Sequence, residues 1–171
     1  MDFLKCVGYL ALIGVLAHFF GEALPRRLFD GARFPWRAAR WERGGRIYDR
    51  LHIRRWKDKL PDMSRFMPDM VRKEVPAHAT PEQIDEQIKE TCVAELTHAA
   101  LSLCGFLCVY LWRGPGGVII SLLFAVGNVP FILIQRYNRP RLLRLRGWLA
   151  ARQEERIRAE SDAVGLCRTN E

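Results

Sequence analysis

The stretch CVAELTHAALSLCGFLCVYLWRGPGGVIISLLFAVGNVPFILI, residues 92–134, decides the fold. It contains two apolar runs, 92–112 and 116–134, separated by a short turn rich in glycine and proline. Each run is close to the roughly 20 residues that a helix needs to span a bilayer. A third run, 3–24, has a similar length and lacks a clear signal-peptide cleavage site. The sequence therefore predicts an all-α integral membrane protein with three transmembrane helices.

The charged residues predict how the chain is oriented in the membrane. The 171 residues include 27 Lys and Arg against 19 Asp and Glu, concentrated in the loop 25–90 and the tail 135–171. Because positively charged segments stay on the cytoplasmic side, we expect both to be cytoplasmic in a multi-pass protein of the cell membrane. With three spans present, the expected partners of the basic surface are anionic membrane lipids, and no nucleic acid is expected. The whole chain, 1–171, is predicted to form a single membrane domain.

Local patterns predict further helices on the cytoplasmic side. Thr80–Gln83 is a typical helix start with a capping residue and an early proline, and it predicts an unbroken helix over 81–112. Pro140 is expected to end the third helix, so that the tail after it forms an amphipathic interfacial helix. Two short interfacial helices are predicted in the loop, near 47–56 and 66–71, from their apolar and aromatic residues.

Polar residues inside the apolar runs are the candidate functional residues. They are His18 and Glu22 in the first run, Glu95 and His98 in the second, and Asn128 in the third. An ionisable side chain in hydrocarbon costs at least ~2.5–3.5 kcal/mol, so it faces a bundle interior or a wet cavity and is a functional candidate by default. At the rise of an α-helix, each run places one of these residues about 9 Å from the cytoplasmic interface. Their convergence at one depth predicts a site near that surface.

These residue types suit acyl transfer from a thioester to a hydroxyl group. His98 can act as the base, with Glu95 on the same helix face holding its tautomer, as in hydrolytic triads. Asn128 can donate to a developing oxyanion. The residues expected to surround this catalytic group are Glu90, His18 and Glu22.

Basic and polar residues beside the site predict a phosphorylated donor. Arginine binds phosphate bidentately, so the phosphates of an acyl-CoA-type donor from the cytosol would be held at this surface. The lipid acceptor would enter sideways from the membrane, and no cofactor is expected. The predicted donor-binding residues are Trp56, Lys57, Lys59, Arg136, Asn138, Arg139 and Arg141.

Two other interpretations remain open. Glu95-Leu-Thr-His98 is a Glu-x-x-His unit, and a metal-dependent membrane enzyme could use it, although carboxylate di-metal bundles need two such units and two further carboxylates. A non-catalytic scaffold or subunit of a lipid-modifying complex is also compatible, because three spans offer little volume for two large substrates. A homo-oligomer would supply the missing walls.

Three blocks of the sequence carry a resemblance to a known family. They are WERGGRIY (41–48) running into IRRWKDKLP (53–61), ETCVAELTH (90–98), and NVP (128–130) followed by QRYNRPR (135–141). In order and spacing they resemble the small membrane proteins called glycosyl-4,4'-diaponeurosporenoate acyltransferases. The resemblance implies transfer of a fatty acyl group to the glucose of a glycosylated C30 carotenoid acid, so the expected acceptor is a lipid-linked sugar.

Overall fold

The structure, a computed structural model, describes residues 1–57 and 79–168, with side chains up to residue 162. These residues form helices and turns without a β-strand. Three helices are long and apolar enough to cross a membrane: Asp2–Ala23, Pro81–Leu111 and Pro115–Asp162. The predicted all-α class with three candidate spans is therefore confirmed. Lys59 and the loop helix predicted near 66–71 lie outside the described residues.

The helices are of two kinds, long ones that form the membrane body and single turns, most of which lie in the loop after the first long helix. In chain order they are α1 (Asp2–Ala23), α2 (Ile47–Arg50), α3 (Ile53–Trp56), α4 (Pro81–Gly105), α5 (Cys108–Leu111) and α6 (Pro115–Arg168). Two 3₁₀ turns, Arg26–Leu28 and Arg40–Gly45, precede α2. The loop after α1 therefore has regular local structure, which allows it to hold side chains in fixed places.

Helix α4 runs antiparallel to α1. Tyr9, near the start of α1, donates its hydroxyl hydrogen to the carbonyl oxygen of Cys104 near the end of α4 at 2.9 Å. Gly21, near the end of α1, packs against Val93 and Thr97 in the first half of α4. The outer face of α1 stays exposed and apolar, as a lipid-facing surface requires; it includes Leu12, Val15, Leu16, Phe19 and Phe20.

Helix α4 begins where the sequence predicts and ends earlier. The Thr80 hydroxyl accepts from the Gln83 N–H at 3.3 Å, and the Gln83 side chain accepts from the Thr80 N–H at 3.0 Å. The prediction of an unbroken helix over 81–112 is wrong, because α4 ends at Gly105 and α5 begins at Cys108. The two pieces together still make one candidate span.

Contact with α6 explains the interruption. The Ser121 hydroxyl donates to the carbonyl oxygen of Gly105 at 3.1 Å. The Val109 N–H bonds to Phe106, three residues back, and so leaves the Gly105 carbonyl to Ser121. A Cβ on Gly105 would lie 2.5 Å from the Phe124 ring, so the two helices approach as closely as glycine allows. The tertiary hydrogen bond thus replaces one bond of the helix.

Helix α6 continues through Pro140, and the prediction that this proline ends the helix is wrong. Proline inside a helix removes one backbone hydrogen bond and costs ~3 kcal/mol or more. Here Arg139 is bonded to α4 and to the loop, and Arg141 is bonded to α2. The proline ring itself lies against Gly45. These contacts outweigh the local preference, so the tail belongs to α6 and does not form a separate helix.

The loop packs on α6 instead of forming one interfacial helix over 47–56. That stretch consists of α2 and α3, which are separated at His52, where φ is 50°. Tyr48 and Ile53 turn their apolar surfaces toward α6 and are buried there against Ile134 and Tyr137. The aromatic pattern that predicted a membrane-surface helix therefore reflects, at Tyr48, a contact inside the protein.

Candidate active site

Glu95 lies between two arginines of α6. Its Oε1 accepts from Arg136 Nε at 2.7 Å, and its Oε2 accepts from Arg139 Nη2 at 2.6 Å. The side chain of Glu95 is 9 % exposed and that of Arg139 is 1 % exposed. A charge buried this deeply is stable only when it is paired and hydrogen-bonded. Two of the predicted donor-binding residues are thus already bonded to a carboxylate of the protein itself.

Arg139 connects α6 to α4 and to the loop. Its Nε donates to the Thr91 hydroxyl at 2.8 Å, and its Nη2 also donates to the Thr91 carbonyl oxygen at 2.9 Å. Its Nη1 donates to the carbonyl oxygen of Trp36 at 2.8 Å. These acceptors and Glu95 are all bonded to the planar guanidinium group of Arg139. The ammonium group of a lysine could not donate to them all in this geometry.

Glu42 joins this cluster from the loop. Its Oε1 accepts from Arg136 Nη1 at 3.0 Å and from the Tyr48 hydroxyl at 2.6 Å, while its Oε2 accepts from the Ala39 N–H at 2.7 Å. Burial and the bond to Glu42 both raise the pKa of Tyr48, so its hydroxyl stays protonated. Burial alone would lower the pKa of Arg136. Its bonds to Glu95 and Glu42 have the larger combined effect and raise that pKa. We call Glu42, Glu95, Arg136 and Arg139 the ion cluster.

Sequence reasoning missed Glu42 and Thr91 as members of this site. Both stand in blocks that carry the family resemblance, and that is the signal that could have found them. A lone carboxylate among loop arginines otherwise fits a solvated surface, whereas Glu42 is 1 % exposed. Its burial depends on a partner that lies 94 positions away along the chain.

His98 pairs with Asn128 between α4 and α6. The distance from His98 Nδ1 to Asn128 Oδ1 is 2.8 Å, and Asn128 Nδ2 donates to the carbonyl oxygen of Phe124 at 2.9 Å. The second bond assigns the orientation of the amide, so that its acceptor oxygen faces the ring, and this arrangement suits a neutral His98 with its proton on Nδ1. The lone pair of the ring is then on Nε2. Phe131 stacks on the imidazole, with ring centroids 4.6 Å apart.

Two of the three residues predicted to surround the catalytic group meet at Arg26, between α1 and α4. Both oxygens of Glu90 accept from Arg26, at 2.5 and 3.2 Å. Glu22 lies 3.9 Å from the same guanidinium. The ring of His18 lies 5.5 Å from that of Phe19, the next residue of α1. Arg26 therefore collects two of the predicted carboxylates at the loop end of α1.

The other predicted donor-binding residues also contact the protein. Arg141 donates to Asp49 at 2.7 Å. Trp56 Nε1 donates to the carbonyl oxygen of Leu51 at 3.0 Å, and its ring packs beside the buried residues of α2 and α3. The remaining two that the structure describes, Lys57 and Asn138, are partly buried. Arg141 thus links α6 to α2, and Trp56 adds to the apolar contact between the loop and α6.

A cavity of about 550 Å³ opens beside the ion cluster. One wall is the loop from Phe34 to Glu42, and the opposite wall is α6 at Ile132, Leu133 and Arg136. Its volume lies within the range of small-molecule sites, roughly 300–1,000 Å³. A ligand in this cavity would touch apolar residues at the end of the third span together with charged residues of the loop.

Comparison with known proteins identifies the family. The family model described as glycosyl-4,4'-diaponeurosporenoate acyltransferase matches residues 25–147. The chain belongs to this family. Proteins of that name from Staphylococcus aureus strains MRSA252 and USA300 are each 28% identical to it over 153 residues, 87% of this chain and 90% of theirs. The protein from strain Newman is 28% identical over 144 residues, 82% of this chain and 85% of its own. No solved structure matches the chain.

The family match includes some of the candidate residues and leaves out others. This member of the glycosyl-4,4'-diaponeurosporenoate acyltransferase family carries the ion cluster and the His98–Asn128 pair inside the matched segment 25–147. His18 and Glu22 precede that segment. The chain is an acyltransferase by family, and the residues that its loop, α4 and α6 bring together are the first candidates for its chemistry.

The geometry does not favour the metal interpretation. In the part of the chain that the structure describes, no group of three or more His, Cys, Asp or Glu side chains could hold a metal ion. Within the Glu-x-x-His unit, both oxygens of Glu95 bond to arginines and His98 Nδ1 bonds to Asn128. A metal at Glu95 would have to displace two guanidinium groups.

Proposed function

We propose that the chain transfers a fatty acyl group from a thioester of the acyl-CoA class to a sugar hydroxyl of glycosyl-4,4'-diaponeurosporenoate or a similar glycolipid. Support comes from the His98–Asn128 pair, which holds an imidazole with a defined tautomer between two membrane-spanning helices. The acceptor follows the names of the relatives. The excess of positive charge in the loop and tail favours a cytoplasmic position for both, where such donors are made.

In this proposal His98 is the general base and Asn128 keeps its ring in place. Nε2 removes the proton of the sugar hydroxyl while the hydroxyl oxygen attacks the carbonyl carbon of the thioester. The carbon–sulfur bond then breaks, and His98 returns the proton to the departing thiolate. The products are a sugar ester and a free thiol. A positioned base contributes ~10²–10⁴-fold to the rate of such a step.

The ion cluster has a positioning role. Glu95 precedes His98 by one turn of α4, and Arg136 follows Asn128 by about two turns of α6. The bonds between Glu95 and its two arginines therefore fix α4 against α6 close to the catalytic pair. We assign the orientation of His98 to Asn128 because Asn128 Oδ1 lies beside the ring nitrogen. Glu95, which sequence reasoning paired with His98, would instead hold the two helices in register.

The test is mass spectrometry of lipids from cells that make glycosyl-4,4'-diaponeurosporenoate and express this chain. We expect an acylated glycolipid with the unmodified chain and a loss of at least ~10²-fold with His98→Gln. Asn128→Leu should lower kcat while leaving KM for both substrates nearly unchanged, because it frees the ring without touching either substrate. His52→Asn is the matched control, since His52 is exposed and asparagine tolerates its positive φ.

Two results would contradict the proposal. One is an unchanged yield of acylated glycolipid from His98→Gln at a matched membrane level. The other is a lipid profile that the unmodified chain leaves unaltered although the acceptor and the donor are both present. The second result would favour a non-catalytic scaffold of a lipid-modifying complex. That alternative arises because three spans offer little volume for two large substrates.

A further inference from the structure

Five arginines surround Trp41 on the loop. Arg37 and Arg40 line the cavity of about 550 Å³ together with Trp41. A neighbouring depression of about 350 Å³ shares Trp41 and is lined by Arg43, Arg46 and Arg50. We call these five residues the loop arginines. All five are exposed, and Trp41 between the two depressions is 63 % exposed.

The loop arginines carry charge that the described residues do not neutralise. None of the five has a carboxylate within 4.0 Å among the residues that the structure describes. The acidic residues within the same stretch have other partners, since Glu42 binds Arg136 and Asp49 binds Arg141. Five like charges held around one aromatic ring repel one another, and an anion bound among them would relieve this repulsion.

We propose that the loop arginines bind the phosphate groups of the acyl donor, a thioester with several phosphates and a nucleotide, as in the coenzyme A class. This assignment rests on the proposed function and moves the donor site away from Arg136, Arg139 and Arg141, whose guanidinium groups are paired within the protein. Arginine forks bind phosphate bidentately. The exposed face of Trp41 offers a stacking surface for an aromatic base.

The shape of the surface favours a small ligand over an acidic carrier protein. The arginines line two concave volumes of small-molecule size, whereas a protein partner would meet a broad, flatter surface. The apolar wall of the larger cavity, at Ile132 and Leu133, leads from the arginines to the membrane-spanning part of α6. A donor with its phosphates on the loop would therefore direct its acyl chain toward the span that carries Asn128.

The experiment uses the full chain in nanodiscs of zwitterionic phosphatidylcholine. Coenzyme A is the binding probe, and an acyl-CoA is the donor in the activity assay. We expect Arg37→Gln/Arg40→Gln and Arg43→Gln/Arg46→Gln each to weaken coenzyme A binding and to raise KM for the donor by ~10-fold or more, with kcat at saturating donor unchanged. The control is Arg156→Gln/Arg158→Gln, which removes the same charge from an exposed part of α6 and should change neither value.

The outcomes separate the sources of phosphate. Unchanged coenzyme A binding and unchanged KM in both variants overturn the proposal. The proposal is also overturned if the variants bind vesicles containing phosphatidylglycerol more weakly but bind coenzyme A as before, because the arginines would then belong to lipid head groups. Activity with an acyl carrier protein thioester but not with acyl-CoA overturns it as well. The proposed function fails separately: His98→Gln should bind coenzyme A normally and form no ester, and retained ester formation there would contradict the role of His98 without touching the arginines.

Discussion

Replacing Glu95 with glutamine tests the ion cluster directly. An amide offers one acceptor and one donor, so one of the two arginine contacts, at 2.7 and 2.6 Å, would be lost and the negative charge removed. Arg136 would keep Glu42 as its anion. Arg139, 1 % exposed, would have no carboxylate left within ion-pair distance in the described part of the chain. Breaking a buried ion pair by removing one partner costs ~3–5 kcal/mol.

The assay is thermal unfolding of the purified protein in one detergent or nanodisc. For a chain of this size, ~3–5 kcal/mol corresponds to a decrease in Tm of roughly 6–20 °C. Glu42→Gln should cost less, about 1.5–3 kcal/mol, because Arg136 keeps Glu95 and is 23 % exposed. Glu154→Gln, on an exposed part of α6, should stay within about 0.5 kcal/mol of the unmodified chain.

A second substitution decides whether the unpaired guanidinium is the cause. Arg139→Gln added to Glu95→Gln removes the buried positive charge, so the double variant should be more stable than the sum of the two single losses predicts. The reasoning is refuted if Glu95→Gln lowers Tm no more than Glu154→Gln. It is also refuted if the two losses at Glu95 and Arg139 simply add.

Two further predictions concern the fold. Gly31→Ala should destabilise the protein by ~1–3 kcal/mol in the same unfolding assay, because a Cβ there would collide with Ile88; Gly147→Ala, in α6 with open space around it, should instead gain up to ~1 kcal/mol. Asp85 bonds to Lys89 and Arg146, and although burial opposes this, the two bonds lower its pKa. Its contribution to stability is therefore present in full above about pH 4 and lost as pH falls through the lowered pKa, so Asp85→Asn should flatten the decline of Tm in acid.

The spans and the start of α4 could be predicted because each depends on residues close together in the sequence. An apolar run of about 20 residues has few alternatives to a membrane helix. The capping pair Thr80 and Gln83 is likewise local, and the structure contains both of its hydrogen bonds. Pairing His98 with a polar residue of the third span was also within reach, because few partners exist for a polar group in hydrocarbon.

The wrong predictions all come from places where a distant contact overrides a local rule. Pro140 would end an isolated helix, but Arg139 on one side and Arg141 on the other are bonded to separate parts of the chain. The interruption after Gly105 has no proline or charge to announce it, and it depends on a serine of the next helix. Tyr48 fits a membrane interface by composition, but it is buried against Ile134 and Tyr137 of α6. None of these partners is adjacent in the sequence.

The arginines show most clearly what the sequence leaves undecided. Every arginine in the loop and after the third span fits the charge bias of cytoplasmic flanks, so position alone cannot separate an arginine that holds the fold from one that can bind a ligand. Burial and ion pairing distinguish the two kinds of arginine. Arg136 and Arg139 form ion pairs with Glu42 and Glu95, whereas the loop arginines lack such partners within the described residues. A paired guanidinium loses its internal anion if it turns to a phosphate, whereas an unpaired one loses only water. The two sets of arginines should therefore respond in opposite ways, with loss of stability from the first and loss of donor affinity from the second.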